Sequence, residues 1–204
     1  MEKNCDLFKK VKMDIYYIWD TKGVKYAIIE LKKLYMKLYN KLTDIEDKRL
    51  ILYNLICAEY ENGDLESVRL HSEQLKKDMD MVNYKKDKPF LYANMLTYYI
   101  DSHSNLSYDK VLEINKFYYD LYKDYDDPSS DKYLDYLNSK FNLNLFLGNF
   151  KAVLEVIKDM LYIQNNTTEY KSLYKQMLDD IKNKDIDLYN DVQELENQSV
   201  CEIA

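Results

Sequence analysis

A segment of about 42 residues recurs along this chain, and a unit copied in tandem must fold the same way each time and bury its apolar face on the next copy. The copies are anchored at Ala27, Val68, Val111 and Val153, which stand 41, 43 and 42 residues apart. Each anchor begins an apolar stripe at three-and-four spacing. From Ala27 it runs through Ile28, Leu31, Leu34, Tyr35 and Leu38, and from Val153 through Val156, Ile157, Met160 and Leu161. A turn signal precedes each anchor: Thr21 to Gly23, Asn62 to Asp64, Ser102 to Asn105, and Gly148 with Asn149. All 3 glycines of the chain fall in these turns, where the end of one helix calls for a residue that accepts a left-handed backbone.

With 3 glycines and 2 prolines among 204 residues, there is little of the turn chemistry that sandwiches, barrels and phosphate-cradling loops require. The expected class is therefore all-α. A first helix precedes each turn, near Leu7 to Trp19, Lys48 to Glu61, Pro89 to Ile100 and Asp131 to Leu147. Pro89 suits the first turn of its helix, and the run from Asp127 to Asp131 supplies a break and an N-cap. Asn165 to Thr168 opens a further helix over Glu169 to Lys182, followed by a last one over Asp187 to Glu196. The pattern predicts one domain over 1–204, a right-handed α-solenoid of four to five hairpins. Its units are 5–42, 45–83, 88–125 and 130–165, with capping helices over 168–197 and a frayed tail over 198–204.

The stretch from Leu52 to Val68 resembles the tetratricopeptide repeat: a first helix, a Gly63-Asp64 turn, and a second helix entered through small residues. Asn142 to Val153, with its turn at Gly148 and Asn149, is a second match. In the other two units Ser102 to Asn105 replaces the glycine turn and the first turn lacks the aspartate. Repeats stretched to roughly 40 residues, against the usual 34, are similar to those of the cytosolic peptide-pheromone receptors of Gram-positive bacteria and their phages, the arbitrium receptors among them. That resemblance implies a quorum-sensing type of regulator, which holds a short peptide in a concave groove lined by asparagines of the first helices. Many such receptors carry an N-terminal DNA-binding domain; here the repeat pattern starts within the first 20 residues, so the expected output is a protein contact or sequestration, with no direct nucleic-acid binding.

Charge points the same way. Lys and Arg number 29 against 36 Asp and Glu, a net charge of −7, which opposes the counterion release that drives nucleic-acid binding. Arg49 and Arg69 are the two arginines. No apolar run of about 18 residues is present, so no membrane partner is expected and the location is read as cytoplasmic. Cys5, Cys57 and Cys201 form no paired motif; Cys57, between Ile56 and Ala58, reads as a small buried hydrophobe. His71 and His103 lack metal-ligand spacing, and no nucleophile elbow or phosphate loop occurs. The chain is read as non-enzymatic, with no cofactor and no metal.

The candidate peptide-binding residues are Asn54, Asn94, Asn138 and Asn142, with the aromatics Tyr53, Tyr92 and Tyr136 beside them on first helices. An asparagine amide offers both donors and an acceptor, so a column of them can grip an extended peptide backbone whatever its side chains. Asn138 and Asn142 share one helix face through their spacing of four. The plainer alternative is compositional: an AT-rich coding sequence scatters asparagine and tyrosine, and 22 tyrosines also suit the thin, half-wet core of a solenoid. The rival functional class is a scaffold or inhibitor acting through a convex acidic surface around Asp124, Asp126, Asp127 and Asp131. A homodimer through the terminal helices is a further expected partner.

Overall fold

The computed structural model describes residues 17–41, 44–163 and 167–203. Among these the chain is helical throughout, with no strand, and within each compact unit the helices pack on one another. The expected first helix over Leu7 to Trp19 lies outside the described residues except for its last three positions, where residues 17–22 are helical. Two compact units divide the chain at Leu106 and Ser107.

In the first unit, Gly23 at φ 86 turns the helical residues 17–22 into α1 (Val24–Leu38), which ends in a short 3-10 turn, Tyr39–Lys41. Then follow α2 (Ile45–Glu61), α3 (Leu65–Met81), the single-turn α4 (Tyr84–Asp87) and α5 (Pro89–Ser102). The Asp44 carboxylate accepts from the Glu46 amide and that of Asp64 from the Ser67 amide, so both helices of the central hairpin start on a capped end. Pro89 sits in the first turn of α5, where its missing N–H has no bond to forfeit. The sequence pattern did not indicate α4. Asn83, in the left-handed region at φ 59, breaks α3 and starts it.

The core of this unit follows the three-and-four stripes. Ala27 and Leu31 of α1, Leu52, Leu55 and Ile56 of α2, and Val68, Leu75 and Met79 of α3 are fully buried. Helices pack in chain order, α1 on α2, α2 on α3 and α3 on α5, and α2 also touches α5 past the intervening α3. Four polar contacts cross at nearly one repeat length. Trp19 Nε1 donates to Glu61 at 3.1 Å, 42 residues on, and Tyr60 OH donates to Asp101 at 2.9 Å, 41 residues on. Cys57 Sγ lies 3.3 Å from Tyr98 OH, again 41 residues on, and Lys88 Nζ reaches Glu46 across 42.

The second unit holds α6 (Tyr108–Tyr122), α7 (Tyr133–Leu147), α8 (Phe150–Ile163), α9 (Thr168–Lys184) and α10 (Ile186–Ile203). Ser107 caps α6, and Thr167, from the segment expected to open a helix, caps α9. Gly148 ends α7 at φ 71. The core joins Leu137 and Phe141 of α7, Val153, Val156, Ile157 and Met160 of α8, Met177 and Ile181 of α9, and Leu188 and Val192 of α10. α7 packs on both α6 and α8, α9 on α7 and α10, and α10 on α8.

Two boundaries differ from expectation. Asp131 does not cap α7: Lys132 occupies that position with no side-chain bond. The Asp127 carboxylate instead accepts from the Ser129 amide and hydroxyl, and Ser130 Oγ accepts from the Lys132 amide, so this local turn delays the helix to Tyr133. The tail expected to fray over 198–204 is helical through Ile203, since neither glycine nor proline interrupts the chain beyond Gly148. No described helix is long and apolar enough to cross a membrane.

Candidate binding surfaces

α5 faces two ways in the first unit. Toward α2 it presents Tyr98, whose ring meets Tyr53 at 5.7 Å and Tyr60 at 5.2 Å, both edge-on. Burial, reinforced by the adjacent Cys57, pushes the Tyr98 phenol far above its ordinary range, and burial likewise raises the Cys57 thiol. Cys57 is half-buried rather than fully so, and its sulfur is hydrogen-bonded. The outer margin of this cluster is open: Tyr60 is 40% exposed, and Asn94 on α5 is exposed. Asn54 on α2 is half-buried and its amide donates to the Leu50 carbonyl at 2.6 Å, so part of its capacity is used within its own helix.

Toward α3, α5 presents Tyr92 and Tyr99. Tyr92, expected in a groove, is only 3% exposed, and its hydroxyl donates to Asp80 at 2.7 Å. A ring that deep is a packing and tethering residue. Above it lies an open depression of about 480 Å³, lined by Glu73, Lys76, Lys77, Asp80 and Met81 of α3 and Tyr99 of α5. Lys76 Nζ lies 5.9 Å from the centroids of both the Tyr92 and Tyr99 rings and pairs with Asp80 at 2.6 Å. Glu73 accepts from Arg69 at 2.9 Å and faces His103 Nε2 at 2.9 Å. Met81, 71% exposed, supplies the apolar rim.

In the second unit the predicted pair is bonded to itself: Asn142 Nδ2 donates to Asn138 Oδ1 at 3.0 Å. Both residues are half-buried, and this bond engages neither the Asn142 carbonyl oxygen nor the Asn138 amide nitrogen. Tyr136, half-buried, packs against Tyr133 with centroids 5.9 Å apart and carries Lys140 Nζ over its ring at 5.7 Å. Asn144 donates to the Lys140 carbonyl and accepts from Asn149, which fastens the helix end.

Pattern reading missed the most deeply placed charges. Glu59 on α2 is fully buried; its Oε2 lies 2.7 Å from His71 Nδ1 of α3, and its Oε1, which receives no well-directed hydrogen bond, is compensated by Lys32 Nζ of α1 at 3.2 Å. Tyr35 sets its ring edge-on to His71 at 5.3 Å. Nearby, the buried Asp78 carboxylate accepts from Tyr39 and from Gln74. The signal for Glu59 was legible: it continues the stripe of Leu52, Leu55 and Ile56 and so had to face the core. No protein-family model, no curated protein and no solved structure matches the chain.

Proposed function

We propose that this chain is a non-enzymatic, tetratricopeptide-like helical-repeat regulator that binds an extended peptide or protein segment. The observation that carries the reading is the set of contacts at nearly one repeat length. Trp19 with Glu61 and Tyr60 with Asp101 tie together the ends of successive first helices, as stacking of equivalent hairpins requires. First helices held side by side turn corresponding side chains into a ladder. Asn94, with Tyr60 and Tyr53, then forms the binding edge in the first unit, and Asn138 with Asn142 and Tyr136 forms it in the second. Exposed amides grip the ligand backbone, and tyrosine edges contribute apolar area at little entropic cost. The depression under Tyr99 receives one ligand side chain. The resemblance to phage and bacterial pheromone receptors makes a short intracellular signalling peptide the natural ligand class.

A display library of random short peptides, selected on the full chain, tests this. Selected peptides should lose about tenfold in affinity on Asn94→Ala combined with Tyr60→Ala, or on Asn138→Ala, and should depend weakly on salt. A selection that yields no binder, or binders indifferent to these changes, refutes the reading. Binders whose affinity collapses with ionic strength instead favour the acidic-surface alternative.

A further inference from the structure

His103 terminates α5, and both of its ring nitrogens face acceptors. Nδ1 lies 2.5 Å from the Tyr99 carbonyl oxygen, which can only accept. Its second neighbour, Ser102 Oγ at 3.4 Å, has its own hydrogen directed to the Tyr98 carbonyl at 2.7 Å and so also acts as an acceptor. Nε2 lies 2.9 Å from Glu73 Oε1 on α3. A neutral imidazole carries one N–H and can satisfy one of these two sides; both are satisfied only by the imidazolium. The position at the C-terminus of α5, at the negative end of its dipole, also favours a cation. His103 is 13% exposed on its side chain and its ring lies 4.0 Å from that of Tyr99, so the ring is held in this orientation. The charged groups around it are Glu73, Arg69 and Lys76 from α3, and on α5 itself Asp101, which is already engaged by Tyr60 of α2.

We propose that His103 is a proton-operated clasp on the depression between α3 and α5. The imidazolium bridges the Tyr99 carbonyl and Glu73 and fastens the end of α5 to α3. Loss of the Nε2 proton to solvent leaves Nδ1–H on the Tyr99 carbonyl and sets a bare nitrogen lone pair against the Glu73 carboxylate, which then leaves His103 and is held by Arg69 alone. Because Glu73 and Tyr99 both line that depression, its available charge changes with pH, and the open form presents a carboxylate to a basic ligand side chain. The ligand clause rests on the function proposed above; the clasp does not.

The chain has 2 histidines, so long-range proton–nitrogen NMR of the ¹⁵N-histidine-labelled protein reads His103 directly, with His71→Gln identifying which signals belong to it. In the imidazolium both His103 nitrogens carry hydrogen, and in the neutral form the hydrogen should remain on Nδ1 alone, against the Tyr99 carbonyl. A neutral form protonated on Nε2 overturns the proposal. A second reading uses Glu73→Gln, whose amide can donate to the bare Nε2 and so keeps the clasp shut. The hydrogen-exchange protection of the last amides of α5, expressed as a wild-type to variant ratio, should fall about threefold as His103 loses its proton. A ratio independent of pH overturns the clasp. Neither measurement contains a ligand: a chain that titrates as described but selects no peptide refutes the proposed function and sustains the clasp, and a peptide-binding chain with a constant ratio does the reverse.

Discussion

Replacing Glu46 by Gln should cost the first unit roughly 1–2 kcal/mol near neutral pH and progressively less in acid. Glu46 stands in the first turn of α2 and its carboxylate collects three donors: Tyr84 OH, Lys88 Nζ and Arg49 Nε, the last at 2.9 Å. Burial alone would raise its pKa, but the bonds from Lys88, Tyr84 and Arg49 outweigh it and bring the carboxyl from the ordinary 4.5 down to about 2. That drop corresponds to at most ~3.4 kcal/mol, and because the side chain is 34% exposed, solvent screening reduces it to the range given. The folded value lies below the unfolded one, so the contribution is fully present above about pH 4.5 and is lost as pH falls toward 2. The single tryptophan, Trp19, lies in this unit, so urea unfolding followed by its fluorescence at several pH values gives the difference between wild type and variant. A gap that stays constant between neutral pH and about pH 2.5 would show that shape, and not charge, joins α2 to Lys88, and would refute the reasoning.

Three further outcomes follow from the packing. Phe141→Ala, at a fully buried position in the second-unit core, should cost about 3–5 kcal/mol by circular-dichroism unfolding; a loss below about 1 kcal/mol would mean the site collapses around the void. Gly148→Ala should cost about 1 kcal/mol purely through the backbone, because the residue sits at φ 71 while an added Cβ would meet nothing within 4 Å; an unchanged melting curve would contradict this. Tyr39 and Tyr174 should resist ionisation well above the ordinary 10, through burial first and then the carboxylates of Asp78 and Glu196. Raised folded values mean that the stability these tyrosines contribute is intact below about pH 10 and is lost above it, so phenolate absorbance should rise in two phases, the second coinciding with unfolding.

Helix placement was legible because it depends on local chemistry. The turns at Gly23, Gly63 and Gly148 and the stripes through Leu31, Leu52 and Ile157 are statements about a few neighbouring residues, and the structure places helices accordingly. Where two local devices compete, the pattern fails. At Asp127 and Asp131 either acid could close a turn, and the one followed by Pro128 and Ser129 does so. The candidate site was less legible still. Tyr92 and Tyr99 lie seven residues apart on one helix and read as equals, yet one is buried with its hydroxyl on Asp80 while the other lines an open depression beside Glu73 and Lys76 of α3. Amide use is also invisible in sequence: Asn54 turns back on Leu50 and Asn142 on Asn138, while Asn94 is exposed.

The abundance of tyrosine has a physical account that composition alone left open. Acids outnumber basic residues by 36 to 29, so cations alone cannot pair every carboxylate of the chain. Tyrosine supplies a neutral donor on a large apolar ring. Tyr39 to Asp78, Tyr60 to Asp101, Tyr84 to Glu46, Tyr92 to Asp80 and Tyr174 to Glu196 are five bonds of one kind, and each joins two different helices or a helix to the turn beside another. A lysine in the same place would need its charge desolvated or its stem extended to water, whereas a phenol brings the hydrogen bond and the burial together. Between packed helices, that combination lets carboxylates sit at the seams without stranding a charge. It also leaves the ring of Tyr60, 40% exposed, open on one side while its hydroxyl stays committed to Asp101.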